Sequence, residues 1–295
     1  MIIDPTKVSV PELHHALLGA IAPRPIAFVS TLNAKGQPNL APFSFFNVFS
    51  ANPPVAIFSP ARRGRDNTTK HTYENALIVP ECVINIVNYA IVQQCSIASS
   101  DYPEGISEFE KAGLTPIASQ KVSPPRVKES PVQLECKITQ VTPLGSGGGA
   151  GNLVMCEVVL IHIDDHVLDA QGKIDPAKMD QVARMGGSWY TRAKTGMFEL
   201  PQPAGKICIG MDQVPASIRH SKFLSGFQLG QLASVYELPD ETSVNEYKLT
   251  ELAELFIEMD GKPELLENSL HERAAQLLDG GKIAEAWMSL LAFND

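Results

Sequence analysis

Two long apolar runs limit what this chain can fold into: VQLECKITQVTPL and NLVMCEVVLIHID, joined by GSGGGAG at Gly145–Gly151. Both are rich in β-branched residues, so both read as strands. The glycine-rich link then turns one back on the other as a flexible antiparallel hairpin connection. A phosphate loop does not suit these glycines. It would need a following Gly-Lys-Ser/Thr and a helix, whereas Asn152-Leu153-Val154 offers another strand. Upstream, IAFVSTL, PNLAPFSFFNVFS, VAIFSP and ECVINIV read as further strands, the first ended by the turn formers Asn33-Ala34-Lys35-Gly36. Helices interrupt sparingly, over Ser9–Leu18, over Thr68–Leu77 behind the cap candidates Asn67-Thr68-Thr69, and over Ala90–Ser100. Strands outnumber crossover helices, so the reading is mainly β, an antiparallel barrel and not a doubly wound parallel sheet. No G-x-G-x-x-G follows a strand, which argues against a Rossmann dinucleotide site.

The pattern changes after Pro201-Gln202-Pro203. Leu249, Leu252, Ala253 and Phe256 recur at helical spacing, followed by Leu265, Leu266, Leu270, Ala274, Leu277 and Leu278. Asp279-Gly280-Gly281 ends one helix before Ile283–Phe293 begins another. Charge changes at the same place: residues 205–295 hold 7 Lys/Arg against 15 Asp/Glu, while residues 1–204 hold 17 against 18. We therefore expect a β domain over 1–204 and an acidic α-helical extension over 205–295. A net charge of −9, with no basic excess in either part of the chain, argues against a nucleic-acid-binding surface. No leader-like N-terminus and no membrane-length apolar stretch stand in the sequence, so a soluble cytoplasmic protein is expected. Cys82, Cys95, Cys136, Cys156 and Cys208 are scattered without a C-x-x-C pair and read as small buried hydrophobes. His14, His15, His162 and His166 lack partners at ligand spacing, and no metal is expected.

No G-x-S-x-G, H-E-x-x-H or cysteine nucleophile context is present, so a cofactor must supply any chemistry and no catalytic side chain is assigned. Two segments suit such a cofactor. Phe43-Ser44-Phe45-Phe46-Asn47 mixes apolar and polar groups as a flat amphipathic ring requires. The same pattern also suits a core strand with polar residues facing water. Arg62–Thr72 (RRGRDNTTKHT) is a strongly basic patch leading into a helix, which suits a phosphate. Which arginine points inward is open at this level.

APRPIAFVSTLNAKGQPNLAPFSFFNVFSANPPVAIFSP, from Ala22 to Pro60, resembles the flavin reductase-like, FMN-binding split-barrel family. The resemblance lies in P-R-P-I-A-x-V-S-T, then N-x-A-P-F-S-x-F-N, then the turn Asn52-Pro53-Pro54 and a strand ending at Ser59. R-M-G-G-S-W-Y at Arg184–Tyr190 resembles a segment near the end of the family domain, so the likeness spans roughly residues 10–200. It implies a Greek-key split β-barrel, a homodimer, and FMN as cofactor, with electrons accepted from NADH or NADPH and passed onward. The alternative it leaves open is a flavoredoxin-like FMN electron carrier whose partner is another redox protein. The site residues implied are Phe28, Ser44, Phe45, Phe46 and Asn47 for the ring and ribityl chain. Ser59, Arg63, Lys70 and Thr72 are implied for the phosphate.

Overall fold

The computed structural model describes residues 1–200, 203 and 205–293. It divides into two compact units, Met1–Phe198 and Glu199–Asp295. Pro201, Gln202 and Ala204, on which the expected linker falls, lie outside the described residues.

The first unit is built on β1 (Ala27–Leu32), β2 (Pro38–Phe43), β3 (Phe46–Ala51), β4 (Pro54–Phe58), β5 (Glu81–Ile86), β6 (Val132–Pro143) and β7 (Asn152–Ile163). These form one sheet in the order β2-β1-β5-β6-β7-β4-β3, every pair antiparallel. The β6–β7 hairpin is its spine, as the two long apolar runs require. Side chains alternate across the sheet. Ala27, Val29, Phe43, Ala56, Phe58, Ile84, Cys136 and Val154, drawn from six strands, share one core on one face. A face that gathers nearly all its strands around one cluster must curl, yet β2 and β3 form the two edges and no ladder joins them. The barrel is split there, and its two edge strands are consecutive in sequence. Only the bend at Ser44-Phe45 connects them.

Ile26, Phe28 and Leu40 point to the opposite face, where they pack with Ile91, Cys95, Phe109 and Leu114. This second core is closed by α3 (Val92–Ile97) and α4 (Glu108–Ala112), which follow α1 (Val10–Ala20) and α2 (His71–Ile78) in the chain. Ser9 caps α1, its hydroxyl accepting from the Glu12 amide. Arg24 then fastens the end of α1, donating to the carbonyls of Leu18 and Ile21 and to that of Met185.

Two expectations need correction, and the mainly β reading is confined to the first unit: with the helical second unit included, helix makes up 35% and strand 23% of the chain. Helix α2 begins at His71 and not at Thr68. The Asp66 carboxylate accepts from both the Thr68 amide and its hydroxyl, and Asn67 sits at a φ of 58°, so this stretch is a tight turn that cannot be helical. The expected helix over Ala90–Ser100 is shorter, a 3-10 turn at Tyr89–Ile91 followed by α3. Cys82, Cys95, Cys136 and Cys156 are buried free thiols, and burial pushes that of Cys95 up to about 12.

The second unit contains α5 (Gly226–Ala233), α6 (Glu241–Glu251), α7 (Ala253–Glu258), α8 (Pro263–Asp279) and α9 (Ile283–Leu291). Leu266, Leu270, Ala274 and Leu278, four residues apart, form the buried stripe of α8. The fully buried Trp287 of α9 donates its indole N–H to the Leu232 carbonyl at 3.0 Å. Leu249 and Leu265 leave the stripe and are exposed. Leu249 lies five residues beyond the buried Val244, roughly 140° round the helix. Among the described residues no helix is long and apolar enough to cross a membrane.

Candidate functional site

The opening between β2 and β3 and the loop after β4 hold most of the residues expected at a cofactor site. Ser44 and Phe45 form the bend itself; Phe45 and Asn47 are exposed, whereas Ser44 and Phe46 are half-buried. Ser59 ties this bend to the next loop. Its amide donates to the Phe45 carbonyl at 2.9 Å, and its hydroxyl accepts from the Asn152 amide at 3.0 Å. Ser59 is therefore a buried joint between β4, the bend and the start of β7. The Asn47 carboxamide oxygen accepts from the Val48 amide at 2.8 Å, which leaves its NH2 group available for a ligand.

Beyond Ser59 the basic loop is held in a defined shape. Arg62 donates to the side-chain and backbone oxygens of Asn67, at 2.7 and 2.6 Å, and so closes the turn. The glycine-rich hairpin supports this loop: the Arg62 amide donates to Ala150 and the Gly149 amide to Arg62, at 2.8 and 3.0 Å. A Cβ on Gly148 would approach the Arg63 and Gly64 carbonyls to 3.2 Å, and one on Gly151 would approach Ser59 Oγ to 2.8 Å. The glycines allow close backbone approach at these points, so the hairpin is a fitted support and not a flexible link.

Past this support, Arg63 and Lys70 turn towards the N-terminus of α2. They line a small recess of about 60 Å³ with Asn39, Phe43, Thr72 and Asp101. Among the described residues no side chain caps α2, and the His71 and Thr72 amides find no acceptor. The Thr72 hydroxyl accepts from the Asn39 NH2 at 3.0 Å and keeps its own proton free to donate. Unfilled helix-terminal donors beside an arginine and a lysine form a cradle for an anion such as phosphate.

Asp101 is the member that sequence reading missed. It lies on the loop after α3, 31 residues beyond Lys70, and no spacing signal links the two. One carboxylate oxygen meets Arg63 Nε at 3.2 Å and Lys70 Nζ at 2.9 Å; the other meets Arg65 Nη2 at 3.0 Å. The hydrogen bond from Lys70, with further help from Arg63, holds the Asp101 carboxyl below the usual carboxylate range. It is ionised at neutral pH.

Asn39, His71 and Glu108 also belong to a neighbouring cavity of about 370 Å³. Glu108 is buried and accepts from the Leu40 amide at 3.0 Å; burial raises its pKa above the ordinary glutamate value. This larger cavity holds none of the predicted phosphate ligands, so the smaller recess, where the cations and free amides are, is the candidate anion site.

The predicted residues therefore fall into three groups. Ser44, Phe45, Phe46, Asn47 and Ser59 meet at the split. Arg63, Lys70 and Thr72 meet at the recess, and Pro42-Phe43 connects the two sets. Phe28 joins neither, because its side chain is fully buried in the core under α3 and α4. Side chains alternate along β1, so a residue that faces this core cannot also face the split. Arg184 folds onto its own segment, donating to the Tyr190 hydroxyl at 2.9 Å.

An antiparallel sheet curled into a barrel and split between its edge strands, with helices packed on its outer face, defines a protein of the split-barrel class. The chain belongs to the family of the flavin reductase like domain, whose model matches residues 19–178, more than half of its length. Among solved structures it is similar to nitrilotriacetate monooxygenase component B from Bacillus cereus. The two are 33% identical with a TM-score of 0.64, over 68% of this chain and 98% of that one. It is similar as well to the 2-nitrobenzoate 2-nitroreductase of Pseudomonas fluorescens, 25% identical with a TM-score of 0.61, over 71% and 100% of the two chains. With the flavoredoxin of Desulfovibrio vulgaris (Miyazaki F) it shares the fold, at 22% identity and a TM-score of 0.53, over 63% and 93%.

The residues present fit a flavin mononucleotide. The cradle supplies cations and unshared amides for a terminal phosphate, and the bend supplies an exposed aromatic ring and a free carboxamide for an amphipathic ring system.

Proposed function

We propose that this protein is an FMN-dependent oxidoreductase of flavin reductase type, which accepts reducing equivalents from NADH or NADPH and passes them to a further acceptor. The observation that carries this reading is the uncapped N-terminus of α2 flanked by Arg63 and Lys70, one bend away from the exposed Phe45 and Asn47. Bound flavin would supply the hydride-accepting chemistry. The protein's own part is binding and orientation: Arg63, Lys70, Thr72 and the α2 amides anchor the phosphate, while Ser59 holds the bend at a set distance from that anchor. No side chain is required as a general acid.

Two further points belong to the proposal. Edge strand β3 exposes Val48 and Phe49 on an unpaired margin, and burying them against a second copy supports a homodimer. The five cysteines are all unpaired, which suits the reducing cytoplasm.

The test is a visible absorption spectrum of the purified protein, with the flavin identified after release, followed by anaerobic addition of NADH and of NADPH. Rapid bleaching by either nucleotide is the expected result. A flavin inert to both, yet reduced by a redox protein, would turn the reading to an electron carrier. A protein that binds no FMN at saturation would end it.

A further inference from the structure

Asp101 sits where a cofactor-binding site would least be expected to place a carboxylate, and the flavin reading above does not account for it. We propose that Asp101 is a built-in competitor for the flavin phosphate, so that FMN is an exchangeable ligand of this protein and not a permanently held group. The inference rests on the proposed flavin function and specifies how its cofactor site behaves.

The two cations lining the recess are Arg63 and Lys70, and both already donate to the same Asp101 oxygen. Arg65, outside the recess wall, forms an ion pair with the other oxygen at 3.0 Å. Among the described residues Lys70 Nζ makes no hydrogen bond except that to Asp101. The remaining arginine of the segment, Arg62, is committed to Asn67. A phosphate entering the cradle finds no unclaimed cation there. It must take Arg63 and Lys70 from Asp101, or lie beside that carboxylate and meet its charge.

Like charges facing each other at short range oppose binding in either case. The cradle is therefore poised between two anions, one tethered and one diffusible. Asp101 is well placed to be exchanged, because it lies on the loop between α3 and α4 and its carboxylate is about one-third exposed. A fully buried carboxylate in the same contacts would be a fixed structural anchor instead. The consequence is functional. Weakened hold on the phosphate lets flavin leave after reduction, as a reductase serving a diffusible flavin requires and a fixed carrier does not.

The test uses the full chain and three ligands: FMN, riboflavin, which has no phosphate, and inorganic phosphate. Binding is followed by quenching of flavin fluorescence. In the wild type, competition by Asp101 predicts that FMN binds no more than about a hundredfold better than riboflavin. In Asp101→Asn, FMN is expected to bind about tenfold tighter and to dissociate correspondingly more slowly, with riboflavin unchanged. Inorganic phosphate alone, followed by calorimetry, should gain affinity for this variant by a similar factor. Asp101→Ser should repeat the result without an amide to imitate the carboxylate.

FMN affinity unchanged or weakened in both variants overturns the proposal and makes Asp101 a positioning residue for Arg63 and Lys70. A wild-type preference for FMN over riboflavin of a thousandfold or more would also overturn it, without any variant having to fold. These results leave the flavin reading intact. A wild type that takes up neither flavin removes the reading and the inference together.

Discussion

Replacing Lys70 with methionine tests the anion cradle directly, because methionine keeps much of the apolar stem and removes only the charge. Lys70 makes one ion pair, to Asp101 at 2.9 Å, and its side chain is 33% exposed. A pair that exposed contributes at most about 1 kcal/mol to the fold, so the variant should melt close to the wild type. Binding is where the loss should appear. A hydrogen bond to a charged group is worth about 1.5–3 kcal/mol, and partial exposure argues for the lower end. About 1.5–2 kcal/mol corresponds to roughly a 10–30-fold rise in the FMN dissociation constant. Riboflavin lacks the phosphate and should bind both proteins alike. Fluorescence titration of both ligands at two salt concentrations measures this, and the salt dependence for FMN should shrink as well. Equal loss of riboflavin and FMN, or an FMN affinity within about twofold of the wild type, would refute the placement of the phosphate at Lys70.

Further expectations concern the supports and the second unit. Gly151→Ala brings a methyl to 2.8 Å from Ser59 Oγ, forcing the hydroxyl off the Asn152 amide, and should cost about 1–3 kcal/mol in denaturant unfolding. In a Ser59→Ala background most of that cost should vanish; if it persists, the clash is elsewhere. Leu270→Ala, at a fully buried position of the α8 stripe, should destabilise the second unit by about 2–5 kcal/mol, read as a fall in its melting temperature. His271 is buried with Nδ1 2.7 Å from Ser221 Oγ, and burial lowers its pKa below 6.5. Folding therefore favours the neutral ring. The stability it allows is fully present above pH 6.5 and declines as pH falls below 6.5 towards the folded value. His271→Asn should flatten that part of the pH–stability curve, and an unchanged slope would exclude this histidine as its source.

Much of the first unit was legible from local pattern. The β6–β7 hairpin, the short strands before it and the helix behind Ser9 follow from β-branched runs, turn formers and a capping serine, all signals contained within a few residues. The second unit was equally open where spacing decides, as in Leu266, Leu270, Ala274 and Leu278. Errors arose where a side chain competed locally with the helix, as Asp66 does for the Thr68 amide and hydroxyl, and where amphipathic faces were counted without a partner, as with Leu249. Phe28 was misplaced for a related reason. Both faces of β1 are buried, one in the barrel and one under α3 and α4, so apolar character alone could not tell which face meets a ligand.

By itself the sequence determined the antiparallel hairpin spine, the change from strand to helical spacing past residue 200, and a basic segment leading into a helix. These depend on residue type and short-range period. Tertiary structure alone decided that the sheet stays open between consecutive strands and that the glycine hairpin braces the basic loop. It alone set Asp101 among Arg63, Arg65 and Lys70. Each of these depends on contacts between segments tens of residues apart, and such distances are set by chain folding, which no local pattern encodes.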